Sequence, residues 1–166
     1  MQTVQQRVAI LLGSENDLSL VQAAISTLKE LDIPHSVRIL SAHRLGDEAC
    51  RFASNARAEG FGVLIAAAGK AAHLAGTLAS RTLLPVIGLP LSTSLGGLDA
   101  LFSTVQMPSG YPVATVAIDG AANAALLAAQ ILALSDCDLL TRLEARRKAG
   151  QEAVREADSR IAKSFM

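Results

Sequence analysis

Between Phe61 and Leu134 the chain carries only four charged residues, Lys70, Arg81, Asp99 and Asp119. Pro85, Pro90, Pro108, Pro112 and many glycines punctuate the same stretch. So long a charge-poor segment belongs inside a fold, and the punctuation forbids one continuous helix. Short strands and helices buried against each other satisfy both conditions. With 166 residues, 51% of them hydrophobic, one domain with a substantial core is expected and disorder is excluded. The 30 alanines predict close helix packing. The central segment holds more apolar surface than a small monomer covers comfortably, which points to a subunit interface.

Apolar runs and helical patterns alternate along the chain. Arg7–Leu12, His35–Leu40, Gly62–Ala67, Pro85–Leu89 and Val113–Ile118 read as strands. Helices are predicted from Asp17 to Leu31, with Leu20, Val21, Ala24, Leu28 and Leu31 on one face, and over Asp47–Glu59, Ala71–Arg81, Leu98–Val105 and Ala121–Leu134. Short apolar strands separated by helices define βαβ units. The expected class is α/β: a three-layer α/β/α domain over residues 1–136, with a doubly wound, parallel, five-stranded sheet. Residues 137–166 form a separate amphipathic extension with a break near Gly150. It is expected to pack on its own or a neighbouring subunit.

Several functions are disfavoured. Lys plus Arg and Asp plus Glu are 15 each, and aromatics are 3%, so no nucleic-acid partner is expected. The apolar run Ala121–Leu134 is too short to span a bilayer, so no membrane association is expected. Cys50 and Cys137 form no disulfide framework, and the N-terminus shows no charged region followed by an apolar run. His35, His43 and His73 lack zinc-site spacing, so no metal is expected. A cytoplasmic location is expected.

In a doubly wound sheet, ligands bind beyond the carboxyl ends of the strands. Those ends carry Gly13-Ser14-Glu15-Asn16-Asp17, Ser41-Ala42-His43-Arg44, Ala68-Gly69-Lys70-Ala71-Ala72-His73, and Leu91-Ser92-Thr93-Ser94. Each run has two readings. The first caps a helix through Ser14 or Asp17, or holds a phosphate on free N–H groups. In the second, Ser41 caps a helix and Arg44 pairs with a surface acid, or His43 exchanges protons beside an anion-binding Arg44. The third is a plain turn, or a glycine that lets a substrate approach the backbone.

Together these runs are specific. GS-x-x-D, SAHR, AG-x-AAHL-x-G, PVIGLP, VQMPSGYPVATVAI and NAALLAAQILAL occur in that order. The chain thereby resembles the class I N5-carboxyaminoimidazole ribonucleotide mutase family of purine biosynthesis, over roughly residues 7–135. The resemblance implies a flavodoxin-like fold, a homo-octamer with sites where subunits meet, and no cofactor. It implies transfer of a carboxylate from the exocyclic nitrogen of a small ribonucleotide to a ring carbon. His43 would shuttle the proton. Ser14, Asn16 and Asp17 would contact the ribose-phosphate portion, Ser41 and Arg44 would complete the phosphate site, and Ala68, Gly69, His73 and Leu74 would enclose carbon dioxide.

The chain departs from that pattern at five places. Asn16 replaces the usual Ser, Leu18 a common Trp, Leu45-Gly46 the usual Thr-Pro, and Ala75 a Pro. Lys70 stands where the family has the second glycine of its turn. Its side chain is expected to point to solvent, to bring a cation near the carboxylate or to block the pocket. Two alternatives follow from these departures: a carboxylase of aminoimidazole ribonucleotide or related nucleotide (de)carboxylase, and a non-catalytic nucleotide-binding oligomer.

Overall fold

The computed structural model describes residues 6–165. Met1–Gln5 and Met166, at the two ends of the sequence readings above, lie outside the described residues. Five parallel strands form one sheet in the order β2-β1-β3-β4-β5: β1 Arg7–Leu12, β2 His35–Ile39, β3 Phe61–Gly69, β4 Val86–Leu91 and β5 Ala114–Thr115. The order reverses between β1 and β3. The chain winds from β1 toward β2 on one side and from β3 through β4 to β5 on the other. This is the flavodoxin-like arrangement, and it opens a crevice at the carboxyl ends of β1 and β3.

Strand periodicity divides the core into two layers. Val8, Ile10 and Leu12 of β1 and Val63, Ile65 and Ala67 of β3 face α1 (Gln22–Glu30) and, further along the chain, the helix Ala121–Ala133. Ala9, Leu11, Leu64 and Ala66 face α2 (Gly46–Asn55), α3 (Leu74–Ala79) and α4 (Leu98–Val105). The helix Ala121–Ala133, α5, sets Ala121, Ala124, Ala125, Ala128 and Ala129 against the sheet and α1, all buried. Alanine keeps helix propensity high and the interaxial distance short.

Several boundaries differ from those read in the sequence. The first helix opens as a 3-10 segment, Glu15–Val21, before α1. Ser14 is its cap, accepting the Asn16 N–H at 3.3 Å, and Asp17 is turned inward. The helix expected over Ala71–Arg81 contracts to α3, because the Ala72 and His73 N–H groups bond the Lys70 and Ala71 carbonyls in consecutive tight turns. β5 shrinks from the expected Val113–Ile118 to two residues, since the chain beyond Val116 turns through Asp119 and Gly120 into α5.

The tail forms one unbroken helix, α6 (Cys137–Ser164), so the break expected near Gly150 is absent. An exposed helical glycine costs about 1 kcal/mol, too little to interrupt the good helix formers around it. The first turns of α6 sit on the domain. Leu139 is buried, Arg142 Nε donates to the Leu31 carbonyl at 2.9 Å, and Arg146 Nε reaches Glu30 at 3.1 Å. Beyond them Val154, Ile161 and Phe165 are exposed.

Candidate active site

The ends of β1, β2, β3 and β4 converge on one cleft of about 600 Å³. The Gly13 N–H bonds the Ala67 carbonyl at 3.1 Å, locking the β1 end onto β3. From this floor rise Ser14, Asn16 and Asp17 on one side, Ser41, His43 and Arg44 on a second, and Ala68, Gly69, Lys70, His73 and Leu74 on a third. Every site residue expected from the sequence therefore lines the same cleft. Gly13, Ala42, Ala71 and Thr93 complete the lining. In the sequence Thr93 is only one residue of the polar run after strand four. A signal for it lies in Gly69: a Cβ there would stand 1.9 Å from Thr93 Oγ1, so the β3 and β4 ends touch only because that residue is glycine.

Arg44 is held in place by its own surroundings. Its Nη2 donates to the Gly13 carbonyl at 3.1 Å and its Nε to Ser41 Oγ at 3.4 Å. A guanidinium has five N–H groups, so others remain to face an anion. The geometry does not follow the reading in which Arg44 pairs with a surface acid.

His43 Nε2 and His73 Nδ1 lie 2.9 Å apart, with the rings edge-on and their centroids 5.0 Å apart. One nitrogen must donate and the other accept, so the bond exists only while one of the two carries no hydrogen there. Both histidines are exposed to the cleft. A proton can therefore pass between each ring and a bound molecule, and between the rings.

Asp17 is 5% exposed. Burial pushes its carboxyl above the ordinary value of 3.8, opposed by a hydrogen bond from the Ser14 backbone and by the charge of Arg44. Its charged form is thus less favourable in the folded than in the unfolded chain. The resulting penalty is absent well below 3.8, develops as pH rises through that value, and is complete above the raised native value. Asp17→Asn keeps the size and an acceptor oxygen. It is expected to raise the melting temperature at pH 7 and to leave it unchanged at about pH 3, where both side chains are neutral. Thermal unfolding at the two pH values measures this, and an equal shift at both contradicts it.

Lys70 adopts φ of +55°, a left-handed conformation that side chains disfavour. It is exposed and lines the cleft.

The chain is thus a flavodoxin-like α/β protein whose switch-point cleft carries a hydrogen-bonded histidine pair beside an anchored arginine. The comparisons narrow this class. The AIR carboxylase family profile matches residues 7–153, and the chain belongs to that family. It is 51% identical over 153 residues to the N5-carboxyaminoimidazole ribonucleotide mutase of Escherichia coli, covering 90% of both chains. It is 52% identical over 155 residues to the mutase of Brucella melitensis, covering 92% of this chain and 96% of that one. Among solved structures, a PurE2 variant from Treponema denticola superposes with a TM-score of 0.84 at 28% identity, covering 95% of this chain and 98% of that one.

Proposed function

We infer that this chain is an N5-carboxyaminoimidazole ribonucleotide mutase, an isomerase of purine biosynthesis. The observation that carries the reading is the meeting of His43, His73, Arg44 and Ser41 in one cleft, in a chain about half identical to mutases.

The chemistry follows from the cleft. Arg44, Ser41 and the N–H groups around Ser14 suit a phosphate, and Asp17 and Asn16 beside them suit ribose hydroxyls. This seats the imidazole end toward the histidine pair. His43 gives a proton to the exocyclic nitrogen as the nitrogen–carbon bond breaks, leaving a neutral amine and carbon dioxide. Ala68, Gly69, His73 and Leu74 hold the carbon dioxide close. The ring carbon then attacks it, forming the carbon–carbon bond, and His43 takes the hydrogen of that carbon as a proton. One proton is given and one recovered, so no other proton donor or co-reactant is required. His73 keeps the His43 imidazole oriented through both transfers.

We also propose a homo-octamer. Leu98, Phe102 and Val105 form an exposed apolar stripe on α4, and Leu95 and Tyr111 are exposed as well. Zero net charge adds little repulsion between copies. Light scattering should give about eight times the mass of one chain, and a monomer contradicts the proposal. No helix among the described residues is long and apolar enough to cross a membrane. A cytoplasmic location, consistent with the free Cys50 and Cys137, is tested by cell fractionation and contradicted by recovery with membranes.

The function is tested by incubating purified protein separately with each carboxylated ribonucleotide, and with aminoimidazole ribonucleotide plus bicarbonate. Interconversion of the two carboxylated compounds supports it. Turnover confined to the bicarbonate reaction identifies a carboxylase and overturns it.

A further inference from the structure

Lys70 stands at the end of β3, on the turn that also carries His73. Two short bonds, Ala72 N–H to the Lys70 carbonyl at 2.9 Å and His73 N–H to the Ala71 carbonyl at 2.8 Å, make this turn stiff. His73 is in turn bonded to His43. Lys70 therefore shares the β3-end wall of the cleft with His73, whereas Ser41 and Arg44 stand at the β2 end.

Its backbone is strained for a lysine. A residue with a side chain is disfavoured at φ of +55°, and glycine is not. Strain retained at a ligand cleft points to a use for the side chain. Arg44 and Lys70 are the lysine and arginine side chains lining this cleft. Arg44 is already committed in part to Gly13 and Ser41. Among the described residues the Lys70 ammonium makes no hydrogen bond or ion pair. Asp99 lies within electrostatic reach, its carboxylate held by the Ser94 hydroxyl and the Ala100 N–H. Asp99 is not among the residues that line the cleft, and it leaves the three donors of the lysine free.

We propose that Lys70 is a substrate-binding residue whose ammonium holds the migrating carboxylate, so that the cleft grips its ligand by two anions, phosphate at Arg44 and carboxylate at Lys70. This rests on the mutase reading and deepens it. Lys70 distinguishes a carboxylated ribonucleotide from the same ribonucleotide lacking the carboxylate, and keeps the released carbon dioxide's partner atoms aligned with the histidine pair.

The test compares the affinities of 4-carboxy-5-aminoimidazole ribonucleotide and aminoimidazole ribonucleotide by calorimetry, in the natural protein and in Lys70→Met, Lys70→Gly and Lys70→Arg. Lys70→Met and Lys70→Gly should each weaken the carboxylated ligand about tenfold or more, as for a lost charge-assisted hydrogen bond, and leave the other within about twofold. Lys70→Arg should keep most of the preference. Lys70→Gly should also melt at a higher temperature, because its backbone is no longer strained. Equal weakening of both ligands, or of neither, overturns the assignment. Natural protein that binds the carboxylated ligand selectively through Lys70, yet interconverts nothing, overturns the mutase reading and leaves this assignment standing. Natural protein that interconverts them, with the preference unchanged in the variants, overturns this assignment alone. Natural protein that binds neither ligand overturns both.

Discussion

His43→Asn is expected to lower kcat by about 10³-fold or more, the range set by loss of a positioned acid–base group, while substrate affinity stays within about threefold. Asn is the informative replacement. Its amide nitrogen corresponds to the imidazole Nδ1 and stops short of Nε2, the atom that lies 2.9 Å from His73 Nδ1 in the natural protein. The bond to His73 and the capacity to give and recover a proton are both lost, while the smaller polar side chain fits the same place and the Ser41–Arg44 anchor is untouched. Both transfers pass through this one side chain, so the forward and reverse reactions should fall by the same factor. Steady-state kinetics in both directions, with ligand affinity measured alongside, checks this. A large loss of affinity with kcat preserved contradicts the role of His43.

The second large effect belongs to Arg44. Arg44→Met removes the cation that is braced between the Gly13 carbonyl and Ser41 Oγ. Hydrogen bonds to charged groups contribute about 1.5–3 kcal/mol each, so KM should rise on the order of 10²-fold. kcat should change less, because the reacting end is held separately by the histidine pair. Arg44→Lys should recover little, since a point charge on a flexible stem cannot bond Gly13 and Ser41 and still present a planar fork. Loss of the Arg44 charge also removes one of the influences that lower the Asp17 carboxyl, so burial should raise that group further. Initial rates across a range of substrate concentration separate the two parameters. A variant that lost kcat alone would place the arginine in the chemical step instead.

The strands were legible because their signal is local. Arg7–Leu12 is read as a strand from its own residues, and the structure places it at that range. Once five such runs alternate with helices, the rule that ligands gather beyond strand ends points directly at Ser14, His43, Gly69 and Lys70. All of them line the cleft. What was not legible depends on relations between distant residues. His43 and His73 are 30 positions apart, and only the docking of two loops makes them one hydrogen-bonded pair. Asp17 has the chemistry of a helix cap, and the sequence offers it and Ser14 as alternatives. Its inward direction is decided by tertiary burial, and Ser14 takes the capping role. Thr93 is one small polar residue among several, and its importance to the cleft floor emerges only from its contact with Gly69. The early turn of the chain after Val116 is likewise set by the packing of α5, not by the alternation of Val113–Ile118.

In this mechanism the carboxylate moves within one bound molecule. It is tested by supplying N5-carboxyaminoimidazole ribonucleotide labelled with carbon-13 in its carboxylate, in buffer containing excess unlabelled bicarbonate, over a single turnover. The ring carboxylate of the product should retain the label, because carbon dioxide held by the wall of Ala68, Gly69, His73 and Leu74 recombines before it escapes. A product carrying mainly unlabelled carboxylate would contradict it.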